Sequence, residues 1–224
     1  MDWFDDAQLE GEIRRMNPAQ RHKAAFLALR RLQGPLLGLP MPEEWGIRAE
    51  VVAAILQAGS ARLDGAVDRD LHRAIEALLS ADLFEDGNEV HPEGNEEFQL
   101  DVLSAWISLE ESLGDMDEET IYDILMRVRQ LANATDVVVD QSLSVLEGEG
   151  DHRDYILGVG GSLSAYGLGY FGTRNIELEQ KCNSAILSFE GDGWGGSEVG
   201  REALGLCDEF GQEVLSVLIR TSTF

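Results

Sequence analysis

The segment 96–113 (EEFQLDVLSAWISLEESL) constrains the fold more than any other, because its spacing is that of a helix with little polar surface. At about 100° of rotation per residue, its apolar residues fall on one broad face. They are Phe98, Leu100, Val102, Leu103, Ala105, Trp106, Ile107, Leu109 and Leu113. Only a narrow polar stripe, from Glu97 to Glu111, remains. We therefore expect a central helix that is buried on most sides.

Capping residues and core spacing predict the other helices. Asn17 precedes a proline at the first helical position, two glutamates follow Asp117, and Asn175 and Ser197 each precede an apolar periodic run. The helices predicted outside the central one cover about 2–16, 18–32, 48–58, 68–81, 118–139, 175–189 and 198–218.

Glycine and proline positions predict where helices stop. Gly34-Pro35 and Gly59 are each expected to end the helix before them. The segment 34–46 is predicted to be an ordered apolar loop, and 82–95 an acidic surface loop. The sequence therefore predicts an all-α, single-domain bundle of about seven or eight helices over 1–224.

Three subregions are expected within this domain. N-terminal helices occupy 1–59, central acidic helices 60–147, and a Gly-rich segment with a helical hairpin 148–224. Cys182 and Cys207 lie in segments with helical spacing, so we expect buried reduced thiols rather than a bridge. Because the chain has no signal-peptide pattern and no run of roughly 18 apolar residues, we expect a cytoplasmic protein.

The formal net charge of −25 over 224 residues is the most unusual global property. Between Arg73 and Arg127 there is no Lys or Arg, whereas sixteen Asp and Glu fall there. A field of this sign opposes binding to nucleic acid and to anionic membranes. Two interpretations remain open: basic N-terminal helices that pack on acidic ones in a protein made soluble by its charge, or an acidic face for a basic partner.

The second interpretation selects acidic residues on either side of the central helix. Aromatic residues outside helical stripes either plug the ends of the bundle or anchor a protein interface, and Trp194 is chosen from among them. The residues predicted to bind the partner are Glu85, Asp86, Glu89, Glu93, Asp115, Asp117, Glu118 and Trp194.

Two glutamates are candidates for buried carboxylates. Glu110 points near the middle of the apolar face of the central helix, and Glu190 is expected to do the same on the helix predicted from Asn175. Such a carboxylate must find a partner or have its pKa raised by burial. An acid/base pair and half of a metal site are the functional alternatives; solvent or one of the fifteen arginines is the structural one. Because no HExxH, paired Cys/His, GxSxG or GxxxxGK[ST] pattern occurs, we expect no metal, cofactor or nucleophilic catalysis.

A shift of 80 residues aligns several landmarks and suggests an internal duplication. Asn95 falls on Asn175, and Asp117-Glu118 falls on Ser197-Glu198. Shared rules of helix capping are the alternative explanation. A true duplication predicts two helical hairpins that have equivalent caps and superpose.

The segments Ala24-Ala25-Phe26 and Asp101 to Glu111 carry a resemblance of layout. The order of elements over 14–139 resembles an uncharacterised all-helical bacterial family of unknown function, and the Gly-rich C-terminal third departs from that pattern. The resemblance implies a helical fold and no particular chemistry. In composition the chain is also similar to the immunity proteins that neutralise bacterial toxins.

Two functions follow as hypotheses. The first is a non-enzymatic protein-binding module, an inhibitor or immunity-type protein that neutralises a basic partner such as a cognate toxin. The second is an enzyme or small-molecule binder with a pocket near the Gly/Tyr-rich segment 155–172, which would use Glu110 or Glu190. The first is the function that we expect.

Overall fold

The computed structural model describes residues 7–63, 69–85, 87, 90–143, 168–191 and 193–221, with the backbone alone for 140–143. Over these residues it contains nine α-helices, two short 3-10 helices and no strand. The α-helices are α1 (Ala7–Arg15), α2 (Pro18–Arg31), α3 (Gln33–Gly38), α4 (Ala49–Arg62), α5 (Arg69–Leu79), α6 (Asn95–Glu111), α7 (Glu118–Leu143), α8 (Tyr170–Ser188) and α9 (Glu198–Thr221). The 3-10 helices are Glu43–Trp45 and Asp82–Phe84. The all-α fold predicted from the sequence is confirmed.

The hub of the bundle is α2 rather than the predicted central helix. It packs against α3, α4, α6, α7, α8 and α9, and every residue from Ala24 to Leu29 is buried. Three of those six residues are alanines, which let neighbouring helices approach closely. The helix expected at the centre is α6, which is buried at Val102 and Trp106 but exposed at Glu97 and Glu111.

The start of α2 is confirmed, and its end differs from the prediction. Asn17 and Gln20 form a reciprocal capping box, with Gln20 N donating to Asn17 Oδ1 at 2.9 Å and Asn17 N donating to Gln20 Oε1 at 3.0 Å. The helix ends at Arg31, and Gly34-Pro35 lies inside α3 instead of in a loop. Pro35 is tolerated there because N–H groups in the first turn of a helix have no acceptor within the helix, so the N–H that proline lacks costs no helical hydrogen bond. Gly34 is required because a Cβ would collide with the carbonyl oxygen of Gly211 on α9.

Gly59 also has a packing role, so the prediction that it ends a helix is wrong. Helix α4 continues through it to Arg62. A Cβ at Gly59 would lie 2.6 Å from Trp106 Cη2 and 2.8 Å from the Phe26 ring. The glycine therefore admits the Trp106 ring, which packs edge-on against Phe26 at a centroid distance of 5.8 Å.

Two of the three predicted caps in the second half of the chain are confirmed. Thr120 N donates to Asp117 Oδ1 at 2.7 Å, and Gly200 N donates to Ser197 Oγ at 3.0 Å. Asn175 is no cap, because α8 already begins at Tyr170 and Asn175 is fully buried.

A residue from another helix caps α8. The Asp136 carboxylate on α7 accepts hydrogen bonds from the backbone N–H groups of Phe171 and Gly172, each at 2.8 Å. Asp136 also complements the positive end of the α8 dipole. The first helices of the two suspected repeats therefore lack equivalent caps, whereas the second helices, α7 and α9, start 80 residues apart, at Glu118 and Glu198. Superposition of the two hairpins stays a prediction.

Candidate functional site

A group of exposed carboxylates gathers where α6 ends and α7 begins. Its members, the C-terminal acidic cluster, are Glu111, Asp115, Asp117, Glu118, Glu119 and Asp123, all of them exposed. The group follows from local chemistry, since Asp117 caps α7 and the two glutamates after it favour the positive end of the helix dipole. The hydrogen bond from the Thr120 backbone N–H lowers the pKa of Asp117, which keeps this carboxylate charged.

Three arginines surround this cluster, and only one of them pairs with it. Arg21 Nη2 donates to Glu118 Oε1 at 2.9 Å, and Arg21 Nη1 donates to the Met116 carbonyl at 3.1 Å. Arg14 pairs with Glu10 at 2.7 Å on its own helix. Arg127 lines a groove of about 430 Å³ between α6 and α7, beside Glu111, Asp115 and Asp123.

The C-terminal acidic cluster is therefore incompletely neutralised. Among the residues that the structure describes, Glu118 is its one member with an ion pair within 4 Å. Basic residues of the N-terminal helices do pair with acidic residues of other elements. Arg21 pairs with Glu118, and Arg30 donates two hydrogen bonds of 2.7 Å to Asp208. In the C-terminal acidic cluster the N-terminal helices provide one ion pair, at Glu118, and an attraction between Arg21 and Asp117 that helps to lower the pKa of Asp117.

A second acidic group lies at the opposite end of α6. It comprises Glu93, Glu96, Glu97 and Asp101, and we call it the N-terminal acidic cluster. These carboxylates line a groove of about 800 Å³ between α6, α7 and the end of α9. At a rise of about 1.5 Å per residue, the nearest members of the two clusters on α6, Asp101 and Glu111, are about 15 Å apart along the helix, and its two ends are about 25 Å apart. The single acidic surface predicted from the sequence is thus divided in two.

The other residues predicted to bind the partner differ in where they lie. Glu85 is exposed just after the 3-10 helix Asp82–Phe84, and Asp86 and Glu89 lie outside the described residues. Trp194 is fully buried, so the expectation that it lies at a partner-binding surface is wrong. Its carbonyl accepts a hydrogen bond from Ser197 Oγ at 2.6 Å, which fixes the turn before α9. The ring plugs the bundle, as the alternative interpretation of the loop aromatics proposed.

Glu110 has found a partner on the neighbouring helix. Its Oε1 lies 2.6 Å from His72 Nδ1 on α5, and the Glu110 side chain is 14% exposed. Glu76 approaches the other ring nitrogen at 3.4 Å. The hydrogen bond to Glu110, followed by attraction to Glu76, raises the pKa of His72. The partner is thus a histidine rather than the arginine that the sequence suggested.

Glu190 is exposed, so the prediction of a buried carboxylate at this position is wrong. Helix α8 ends at Ser188, with Phe189 as its C-cap. Glu190 therefore lies beyond the helix, and the prediction from helical spacing that its side chain points inward does not apply to it. Because Glu110 is paired with His72 and Glu190 faces solvent, an acid/base pair of these two carboxylates has no structural support.

Sequence reasoning missed a buried ionic cluster that joins α2, α7 and α8. Arg129 Nε donates to Glu179 Oε1 at 3.1 Å, Arg31 Nη2 lies 3.8 Å from Glu179 Oε2, and Arg31 Nε donates to Asn175 Oδ1 at 2.9 Å. All four residues are at most 2% exposed. The one sequence signal was Arg31, which lies one helical turn after the apolar residues Leu27 and Ala28, because charged residues are rarely buried unless they are paired.

The two cysteines lie beside this cluster as free, buried thiols, which confirms their prediction. Cys182 Sγ and Cys207 Sγ are 4.0 Å apart. The hydrogen bond with Cys207, assisted by the positive charge of Arg31 and opposed by burial, lowers the pKa of Cys182 to about 7.

The described part of the Gly/Tyr-rich segment is closely packed. Residues 155–167 lie outside the described residues, whereas Leu168 and Phe171 are buried. Phe171 packs edge-on against Tyr170 and Phe210, with ring centroids 5.2 and 6.1 Å away. These contacts give the small-molecule hypothesis no positive support.

The described side chains include no group of three or more His, Cys, Asp or Glu placed to hold a metal ion. No described helix is both long and apolar enough to cross a membrane.

Comparison with known proteins identified no relative: no family model, curated protein or solved structure matches the chain significantly.

Proposed function

We propose that this protein is a non-enzymatic binding protein, of the inhibitor or immunity type, that covers a basic surface on a partner such as a toxin. One observation carries the proposal: five exposed carboxylates of the C-terminal acidic cluster have no ion pair among the described residues. The packed helices α6 and α7 present them. Such a surface costs self-repulsion, which a basic partner would relieve.

The magnitude of this field favours fast recognition over tight binding by charge alone. Exposed pairs contribute little free energy each, yet a cluster of one sign raises association rates by about 10- to 1000-fold at low salt. The Debye length is about 8 Å at physiological ionic strength, so neighbouring carboxylates of the cluster act together while the two ends of α6 act separately. The cluster at the α6–α7 turn is thus one self-contained electrostatic surface.

The competing explanation is that acidity serves solubility alone. In that case the position of a carboxylate would not matter, and any exposed glutamate would serve equally. The two explanations differ over which charges control binding, and variants with the same net charge separate them.

The test is capture of purified products of the genes adjacent to that of this protein, at 50 and 300 mM salt. The site variant is Asp115→Asn, Asp117→Asn and Glu118→Gln. Asn is also a good N-cap, so the variant keeps the start of α7. We expect wild type to capture a basic partner at low salt and the site variant to lose it.

A matched control removes the same number of charges elsewhere. Glu50, Glu198 and Glu209 are exposed on α4 and α9, and their replacement by Gln should leave capture unchanged. Equal loss in both variants would favour the solubility explanation. Failure of wild type to capture any basic protein at either salt concentration would count against the proposed function.

A further inference from the structure

The groove beside the N-terminal acidic cluster combines an apolar floor with one strongly acidic wall. Phe98, Leu131 and Leu218 form the floor and are at most 6% exposed. Val137 on α7 lines the groove and remains 46% exposed, which makes it one of five large apolar side chains left open in the described residues. Among the described residues that line the groove there is no Lys, Arg or His, and the wall formed by α6 and the turn before it carries four carboxylates, with Glu93 in the turn and the other three on the helix.

We propose that this groove binds an amphipathic helix of a partner, with an apolar face toward Val137 and Lys or Arg side chains toward the α6 wall. The groove is a second site, at the end of α6 opposite the C-terminal acidic cluster, so the inference goes beyond the proposed function. Charge complementarity selects a basic segment, and the exposed Val137 requires an apolar face on the same segment.

Backbone hydrogen bonding favours a helix over an extended peptide. An extended segment that binds by strand addition pairs its N–H and C=O groups with a sheet edge, and the described part of this chain contains no strand. Along α7 the groove wall is the interior of a helix, whose backbone groups are paired internally; helix ends contribute only at the start of α6 and the end of α9. A ligand that lies along α7 must satisfy its own backbone, and a helix does so.

The dimensions of the groove fit two helical turns. On α7 it runs from Gln130 to Val138, and nine helical residues span about 12 Å. Anchors at positions i, i+4 and i+7 of an incoming helix cover about 10 Å. The volume of about 800 Å³ has room for several apolar side chains.

The probe for this inference is a fluorescein-labelled 15-residue peptide of Leu and Lys with helical amphipathic spacing. Its binding to the full chain is followed by fluorescence anisotropy at 50 mM salt. A peptide of the same composition, scrambled to destroy the apolar face, is the control ligand. We expect the scrambled peptide to bind at least about tenfold more weakly, because it matches the charge but not the floor.

Two protein variants place the binding in the groove. Val137→Gln removes the exposed apolar side chain and is expected to weaken the amphipathic peptide about fivefold to tenfold. Leu79→Gln on α5 is the matched control, since Leu79 is 45% exposed and lies outside the groove, and it should change affinity less than twofold. Both positions are exposed, so both variants should fold, which circular dichroism checks.

Equal binding of the two peptides, or equal effects of the two variants, would overturn the groove assignment. If the groove assignment fails while a basic partner is still captured through Asp115, Asp117 and Glu118, the proposed function survives alone. If the peptide results agree but no basic partner is captured at any salt, the groove remains a helix-binding site and the proposed function fails. The two claims are therefore tested separately.

Discussion

Glu179→Gln is the perturbation whose effect on stability the structure specifies most closely. Glu179 is 1% exposed and neutralises Arg129 directly, and its second oxygen lies 3.8 Å from Arg31. Gln keeps the volume and an acceptor but removes the charge, so two buried guanidinium groups lose their common counter-ion. Breaking a buried ion pair by removing one partner costs about 3–5 kcal/mol.

That loss is large against the total stability of a domain, which is typically about 5–15 kcal/mol. In urea, with a denaturant slope of about 2–3 kcal/mol per M, it lowers the unfolding midpoint by about 1–2.5 M. In a thermal scan, the same loss lowers Tm by roughly 6–20 °C. The assay is equilibrium urea unfolding followed by circular dichroism, with wild type and variant at pH 7.

The matched control is a salt bridge of similar length at the surface. Lys181 Nζ lies 2.8 Å from Glu202 Oε1, and both side chains are more than half exposed. Solvent screens this pair, so Glu202→Gln should leave the urea midpoint nearly unchanged. Equal midpoint shifts for Glu179→Gln and Glu202→Gln would refute the account of the buried ionic cluster.

Three further predictions concern single groups. The pKa of His72 is raised in the folded state, so the contribution of His72 to stability is full below the unfolded pKa of about 6.5 and is lost as pH rises through the folded pKa. The difference in urea midpoint between wild type and His72→Gln should therefore shrink from pH 5.5 to 8.5. A constant difference would contradict this prediction. Asp136→Ala should lower the free energy of unfolding in urea by about 1–3 kcal/mol, because two backbone donors of α8 lose their acceptor. Asp136→Asn should lower it less. An unchanged free energy of unfolding in both variants would show that α8 does not need this cap. Thiolate absorbance near 240 nm should rise with a midpoint near pH 7 in wild type and not in Cys182→Ser, whereas identical titrations would disprove the lowered pKa of Cys182.

Features governed by neighbours in the chain could be predicted from the sequence. The caps at Asn17, Asp117 and Ser197 depend on side chains three residues from the groups they satisfy. The acidity between Arg73 and Arg127 likewise predicts exposed carboxylates, because unpaired charges are rarely buried. Local chemistry therefore gave the helical fold and the acidic surface.

Features governed by distant neighbours could not be predicted in this way. From its neighbours in the chain, Gly59 is expected to end a helix; only its contact with the Trp106 ring explains why a glycine lies there. The cap of α8 comes from Asp136, which precedes by 35 residues the Phe171 N–H that donates to it. The buried ionic cluster joins Arg31 to Asn175 across 144 residues. The division of the acidic surface depends on the length of α6, which separates residues that composition alone groups together.

The association rate of the basic partner, measured as a function of salt, tests the central claim most directly. The proposed function predicts a rate that falls about tenfold or more between 50 and 500 mM salt for wild type and for the control variant at Glu50, Glu198 and Glu209. Neutralising Asp115, Asp117 and Glu118 should lower the rate at 50 mM salt and flatten this dependence. Identical salt dependence in the site variant and the control variant would contradict a binding role for the C-terminal acidic cluster.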